Sequence, residues 1–371
     1  MNEIQLVLVG AGHAHLHLAG NAETFLARNI RPLLIDPGKF WYSGMATGML
    51  GGMYTADQDT VDPGRLITRH GGDFLRDRVK SINPSHKSVS LASGKVIPYD
   101  VLSLNIGSKV NLGPLSEFRD ILWTVKPIRN LWQLRQYLLE RDSGGSENKP
   151  FTITVVGGGS TGCESAANLQ ALTVRYNLPA RVHLISREDR LLPNKPEGAA
   201  DKLRRRLSER GITITLSCAI SYIDDRCIRS ADNREFSSDI TVAATGLRAR
   251  TLIRQNNADT GIRVRSTLQS LENDTIFAAG DCASLEGYQL PKLGVFGVRQ
   301  APILLQNIQR FFAGSPLLEY VPQKRYLSIL NLGDGTALAI RGRLYWMGTM
   351  SQLLKNYLDN RFLRRYQSRS R

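Results

Sequence analysis

The strongest constraint on this chain is a motif that occurs twice. Leu6-Val7-Leu8-Val9 runs into Gly10-Ala11-Gly12-His13-Ala14-His15, and Ile153-Thr154-Val155-Val156 runs into Gly157-Gly158-Gly159-Ser160-Thr161-Gly162. Each is an apolar run of strand length, a glycine turn, then small residues suited to a helix. A second apolar strand follows each copy: Arg31-Pro32-Leu33-Leu34-Ile35-Asp36 and Arg181-Val182-His183-Leu184-Ile185-Ser186. Strand, glycine turn, helix and strand in that order make a dinucleotide-binding unit. The first glycine makes the tight turn, the second lets backbone approach a pyrophosphate, and the third lets helix pack on strand. One such string is weak evidence. Two, each set between strands, predict an α/β protein. In the first copy His15 takes the third glycine's place, which loosens the packing but keeps the turn.

The remaining sequence fits this plan. The polar, glycine-rich stretch Arg141–Pro150 reads as a linker before the second unit, and Asp239–Ala244 with Thr245-Gly246 as a strand closing it. Asp274–Ala279 reads as a strand ending in Gly280-Asp281, and Pro291–Phe312 as a helix containing Pro302. From about Tyr320 the chain alternates short strands and then turns helical and basic. No apolar run approaches about 18 residues, so no membrane-spanning helix is expected. Glu3 and the strand Ile4–Val9 argue against a secretory leader. Four scattered cysteines suggest thiols in a reducing, cytoplasmic compartment. The abnormal number is a net charge of +15, from 48 basic against 33 acidic residues. It calls for an anionic partner: nucleotide phosphates, an anionic membrane or nucleic acid. No nucleic-acid motif appears, which disfavours the last.

Together these residues resemble the two-dinucleotide-binding flavoproteins of the pyridine nucleotide–disulfide oxidoreductase superfamily, over nearly the whole chain. The resemblance implies two Rossmann-like units, one for FAD and one for NAD(P)H, the second inserted in the first, and a small C-terminal α+β tail. The expected divisions are 1–120, 121–250, 251–318 and 319–371. Within the superfamily the chain looks most like type II NADH dehydrogenases. More narrowly it is similar to the NADH-dehydrogenase-like domain fused to selenide, water dikinase, through Gly12-His13-Ala14-His15, Trp41-Tyr42-Ser43-Gly44-Met45, Leu104-Asn105-Ile106-Gly107-Ser108, Val125-Lys126-Pro127-Ile128 and Gly297-Val298-Arg299-Gln300. No dikinase domain follows in this sequence, so that activity is not expected of it.

By this resemblance Gly10, Gly12, His13, Ala14, His15, Asp36, Gly107, Ser108, Gly280 and Asp281 serve FAD. Gly157, Gly159, Ser160, Thr161, Gly162, Ser186, Arg187, Thr245 and Gly246 serve NAD(P)H. Hydride passes from the nicotinamide to the flavin, and two electrons then leave for an acceptor. Glu164 is expected near both rings, to hold the carboxamide or move a proton. A helix starting near Leu290-Pro291-Lys292 should aim its N-terminus at the flavin's developing charge, with Lys292 adding a cation. Ser186 followed by Arg187, where NAD-specific members carry an acid, favours NADPH over NADH, although Glu188 and Asp189 blunt the argument. Phe40–Asp62 contains no cysteine, so electrons should leave the flavin without a redox disulfide; Cys163, Cys218, Cys227 and Cys282 are expected to be structural. The string His13-Ala14-His15-Leu16-His17 lacks accompanying acids or cysteines, so no metal is expected, and these histidines should hydrogen-bond near the FAD pyrophosphate or simply pack.

The acceptor stays open between a quinone, another small molecule reduced by a soluble enzyme, and a mainly binding role for a basic flavoprotein. Aligning Gln300 with the last glutamine of the family's quinone stretch puts Phe296 where the first belongs. Met350, Leu353, Leu354, Tyr357, Leu358 and Phe362 recur at helical spacing, with Lys355, Arg361, Arg364, Arg365, Arg369 and Arg371 among and after them. That predicts an amphipathic helix resting on the inner face of an anionic membrane. Its removal after Gly348 is expected to leave FAD bound. The implied partners are a quinone or other small acceptor, an anionic membrane surface, and a second copy in a homodimer.

Overall fold

The computed structural model describes residues 3–143, 150–252 and 261–370. Two parallel five-stranded sheets organise it. The first runs Ile276–Ala278, Val101–Leu104, Ile4–Val9, Ile30–Ile35, Asp73–Leu75; the second Leu122–Thr124, Ile240–Ala243, Phe151–Val156, Ala180–Ile185, Thr213–Thr215. Leu6, Val7, Leu8 and Val9 are all buried, as are Ile153 to Val156. Continuous burial is what a parallel sheet covered on both faces requires. Strand Ile276–Ala278 returns to the first sheet after every strand of the second has been laid down, so the second unit is inserted in the first. Two large apolar cores follow, one around each sheet.

Three expectations about elements change. The stretch Arg141–Pro150 does not separate the units, because Leu122–Thr124 already pairs with Ile240–Ala243 in the second sheet. Arg141 to Ser143 end the helix Arg129–Ser143, and residues 144–149 lie outside the described residues. The late helix is Gly294–Phe312, so Pro291 and Lys292 precede it. Pro302 stays within it.

The C-terminal segment is not a loose appendage. Antiparallel strands Leu327–Asn331, Ala337–Arg341 and Leu344–Gly348 send Leu330, Leu338 and Ile340 into the second core. The helix Thr349–Ser370 sends Leu363 and Tyr366 into the first. Much of its apolar stripe is exposed, as a helix resting on a surface requires, and the departure lies on the polar side. Ser351, Gln352, Lys355 and Asp359 are buried, while Met350 is 71%, Leu353 58% and Tyr357 61% exposed. Tyr42, Tyr54 and the Gly44 carbonyl offer polar partners inside, and the inward stripe supplies Asp359, Asn356 and Lys355 to meet them. Lys355 is therefore not part of a basic outer face. Arg371 and the side chain of Arg369 lie outside the described residues.

Candidate functional site

A cleft of ≈ 610 Å³ reaches both glycine turns. Its lining includes Lys39, Lys126, Lys195, Lys292 and Arg250 against Asp36, Glu164 and Asp281. An excess of cations in a concave site attracts a polyanion such as a dinucleotide.

At the first turn Gly10 has φ +84°, a conformation that suits glycine. Asn105 braces the segment: its Oδ1 accepts from the amides of Ala14 (3.0 Å) and His15 (3.3 Å), and its Nδ2 donates to the Ala279 carbonyl (2.6 Å). One side chain thus joins the glycine turn to the Gly280-Asp281 turn. Asp36 ends the second strand on the cleft wall, accepting from Ala11 N and Gly38 N at 2.8 Å each. Burial raises its carboxyl above the usual range, against those two bonds. His13 lines the cleft; burial drives its imidazole down to about 4, against Asp281, so it is neutral.

Asp281, Ser108 and Lys126 form one network. Lys126 Nζ donates to Asp281 Oδ2 and to Ser108 Oγ at 2.8 Å, and Ser108 Oγ donates to Asp281 at 2.6 Å. Burial would raise the Asp281 carboxyl, but Lys126 overcomes this and holds it below the usual range. A fixed ion pair on the cleft wall can orient polar groups of a bound cofactor without reorganising. Lys292 also lines the cleft, yet its ammonium donates to the Ala283 carbonyl at 3.2 Å and burial lowers its pKa.

At the second turn Gly159 caps the helix Ser160–Tyr176 with no side-chain cap, and a Cβ there would meet open space. Gly159, Ser160 and Thr161 line the cleft, so uncapped amides face it, as an incoming pyrophosphate requires. Glu164, one turn on, is half-buried on the same wall. Its Oε1 accepts from Asn331 N at 2.7 Å and Thr47 Oγ1 at 3.5 Å. Burial lifts its carboxyl to about 7, against the opposing pull of Lys355. An acid poised there can take or give a proton near neutral pH.

Several expected residues stand elsewhere. His15 is fully buried behind the turn, its Nδ1 on Gly10 O (2.6 Å) and its Nε2 on Ser103 Oγ (2.8 Å), so it packs rather than facing a ligand. Gln300 is buried away from the cleft, accepting from Gly280 N at 2.6 Å; it shapes the turn that carries Asp281. Gly157 and Gly162 are packing glycines: a Cβ on Gly162 would fall 1.8 Å from Gly157 O, and one on Gly157 2.3 Å from Ala244 O. Thr245 donates to Asn111 O, and Gly246 has φ +100° with open space beside it. Ser186 is buried, its Oγ accepting from Glu188 N, and Arg187 is paired with Glu188 at 2.8 Å. Neither lines the cleft. Cys163 and Cys282 are buried thiols whose pKa burial raises, that of Cys282 to about 11. The residues missed from sequence are Asn105, Lys126 and Lys355. The first two sit in strings noted above, but Asn105 meets Ala14 and His15 about 90 residues back and Lys126 meets Asp281 155 residues on.

A dinucleotide cofactor fits these residues, since open-faced glycines, uncapped amides, a carboxylate at the end of the second strand and excess positive charge converge on one cleft. Known proteins agree. The chain is 27% identical over 315 residues to the type II NADH:quinone oxidoreductase of Haemophilus influenzae, covering 72% of this chain and 71% of that protein. It is 24% identical over 290 residues to the demethylphylloquinone reductase NdbB of Synechocystis, covering 74% and 70%. In fold it matches NDH2 from Plasmodium falciparum, solved in complex with NADH, with TM-score 0.81, 16% identity and coverage of 98% and 97%. The sulfide:quinone oxidoreductase of Aquifex aeolicus gives TM-score 0.80, 17% identity and coverage of 99% and 92%. The pattern of one family, described as pyridine nucleotide-disulphide oxidoreductase, matches residues 4–302, and the chain belongs to that family.

Proposed function

We propose that the protein is an FAD-dependent NAD(P)H:quinone oxidoreductase working without a redox disulfide. The observation that carries this is one cleft reaching both glycine turns, with Glu164 and the Lys126–Asp281 pair on its walls and no cysteine among its lining residues. When bound, FAD supplies a two-electron carrier between nicotinamide and acceptor. The chain's residues do the rest. Asp36 and the first turn hold the adenosine end, Ser108, Lys126 and Asp281 fix the ring end, and the amides after Gly159 take the nicotinamide nucleotide. Glu164 gives the acceptor a proton. The names of the relatives favour NADH, and Glu188 beside Arg187 supports it; NADPH is the alternative.

The division 1–120, 121–250, 251–318 and 319–371 follows from the same reading, as does kinship with the domain fused to selenide, water dikinase. We also place the protein on the inner face of a membrane. Among the described residues no helix is long and apolar enough to cross one. Leu344, Trp346, Met350, Leu353 and Tyr357 are exposed on adjoining elements, with exposed Arg361, Arg364 and Arg365 beyond them. An apolar patch bordered by cations suits an anionic lipid surface. The test is steady-state oxidation of NADH and NADPH by the holoprotein with a panel of quinones. Turnover with a short-chain quinone is expected, as is loss of bound FAD in Asp281→Ala. No quinone reduction by a flavin-loaded protein would turn the reading toward another acceptor.

A further inference from the structure

One cation of the cleft is unused by the scheme above. Five line it, and four are engaged. Lys126 is bonded to Asp281 and Ser108, and Lys292 to the Ala283 carbonyl. Arg250 Nε donates to the Ser108 carbonyl at 3.2 Å, and Lys39 pairs with Asp57 at 3.5 Å. Of the five, Lys195 is the one whose ammonium meets neither a carboxylate nor a hydrogen-bond acceptor among the described residues. It sits instead over the face of the Tyr326 ring, 4.9 Å from the centroid.

The chain holds Lys195 beside the second glycine turn. Leu192-Pro193-Asn194-Lys195 is a β-turn, closed by Lys195 N donating to the Leu192 carbonyl at 2.9 Å, with proline and asparagine at its centre. Leu192 N donates to Gly158 O at 2.8 Å, which pins the turn to the residue before Gly159. Arg190 braces it, its guanidinium donating to the carbonyls of Pro193 and Lys195. Leu192 is held at φ +51°, a conformation that leucine adopts only where its surroundings impose it. The backbone under Lys195 is thus fixed against the glycine turn, while its charge rides on a flexible four-carbon stem.

We infer that Lys195 binds the pyrophosphate of the nicotinamide nucleotide, reaching it from the β-turn while the amides after Gly159 hold it from the helix. The inference rests on the reading that the second glycine turn takes that nucleotide. An uncapped helix end offers only partial positive charge, spread over its N–H groups, and a pyrophosphate carries two full negative charges. Arg187, the other cation on this side of the unit, is paired with Glu188 and does not line the cleft. The Tyr326 ring and a phosphate oxygen compete for the ammonium of Lys195. A charge-assisted hydrogen bond is the stronger contact, so the lysine leaves the ring as the nucleotide enters.

The test measures the Kd of ADP-ribose, which carries the pyrophosphate without a nicotinamide, for FAD-loaded protein by calorimetry. In Lys195→Met that Kd should rise roughly tenfold at about 20 mM salt and only about twofold at about 500 mM, where ions screen the lost charge. Lys195→Arg keeps the charge and should bind within about twofold of wild type. The 2′-phosphorylated analogue should lose the same factor in Lys195→Met, because the pyrophosphate is common to both ligands. An unchanged Kd in Lys195→Met, an equal loss at both salt concentrations, or a loss confined to the 2′-phosphorylated ligand would overturn the assignment. Wild-type holoprotein that binds neither ligand would instead remove the nucleotide from the second turn, and the role of Lys195 with it.

Discussion

The two glycine turns share a string and differ in almost everything around it. The first opens a helix of seven residues, His13–Ala19, whose leading amides are taken by Asn105, and its Ala11 amide is taken by Asp36. The second opens a helix of seventeen, Ser160–Tyr176, with an uncapped N-terminus and open space at Gly159. At the third position the first turn places His15, which reaches back to Gly10 O and across to Ser103; the second places Gly162 against Gly157 O, where no side chain fits. A braced turn suits a group that stays, and an open one suits a nucleotide that exchanges. The same spacing serves both because what distinguishes them comes from distant residues.

The largest effect should come from filling the second turn. Gly162→Ala puts a methyl into backbone, and the loss of stability should exceed about 3 kcal/mol in urea unfolding, with the nicotinamide nucleotide no longer bound. Ordinary stability in that variant would mean that the close packing at Gly162 is not required. The first turn is broken differently. His15→Ala leaves Gly10 O and Ser103 without a partner, costing about 2 kcal/mol. Retention of wild-type stability would show that the imidazole is dispensable and that the two turns are less different than their contacts imply.

A pH scan sharpens the comparison further. Burial lowers both His13 and His15 to about 4 from 6.5. The unfolded chain therefore binds protons that the folded one refuses between those values, and stability falls as pH drops from 6.5 toward 4. Thermal unfolding at stepped pH should show this loss, and His15→Ala should show less of it. An identical slope in the variant would place the acid sensitivity elsewhere. The smallest effect concerns nucleotide choice. Arg187→Ala frees Glu188 for a ribose hydroxyl and should raise the NADH to NADPH ratio of kcat/KM about tenfold, some 1.4 kcal/mol. An unchanged ratio would place recognition away from this strand end.

Much of the fold was legible because local pattern and packing agree there. Leu6–Val9 and Ile153–Val156 read as buried strands since a parallel sheet buries every residue of its inner strands. Asp36, Glu164 and Asp281 were legible as site residues because each follows a strand or a glycine turn at a fixed offset. Within the tail Lys355 was misread, for a physical reason. Helical periodicity marks two faces but does not say which one the rest of the protein covers, and here Tyr42, Tyr54 and the Gly44 carbonyl draw the polar face inward. Phe362 stacks on Tyr42 at 4.6 Å and tilts against His13 at 5.5 Å. Phe362 of the helix thus backs His13 on the cleft wall, although among the described residues none of the helix lines the cleft itself.

The sequence by itself determined the two strand–glycine–helix units, the absence of a cysteine pair after the first, and the acids at strand and turn ends. These depend on residues close together in the chain, where steric rules at glycine and the strand period leave few choices. Only the tertiary structure decided that Gln300 and His15 shape turns, that Lys126 meets Asp281, and that Lys355 and Asp359 pair in the interior. Those outcomes depend on which polar groups are brought together out of water, and a charge's partner in a low-dielectric interior is set by distance in space.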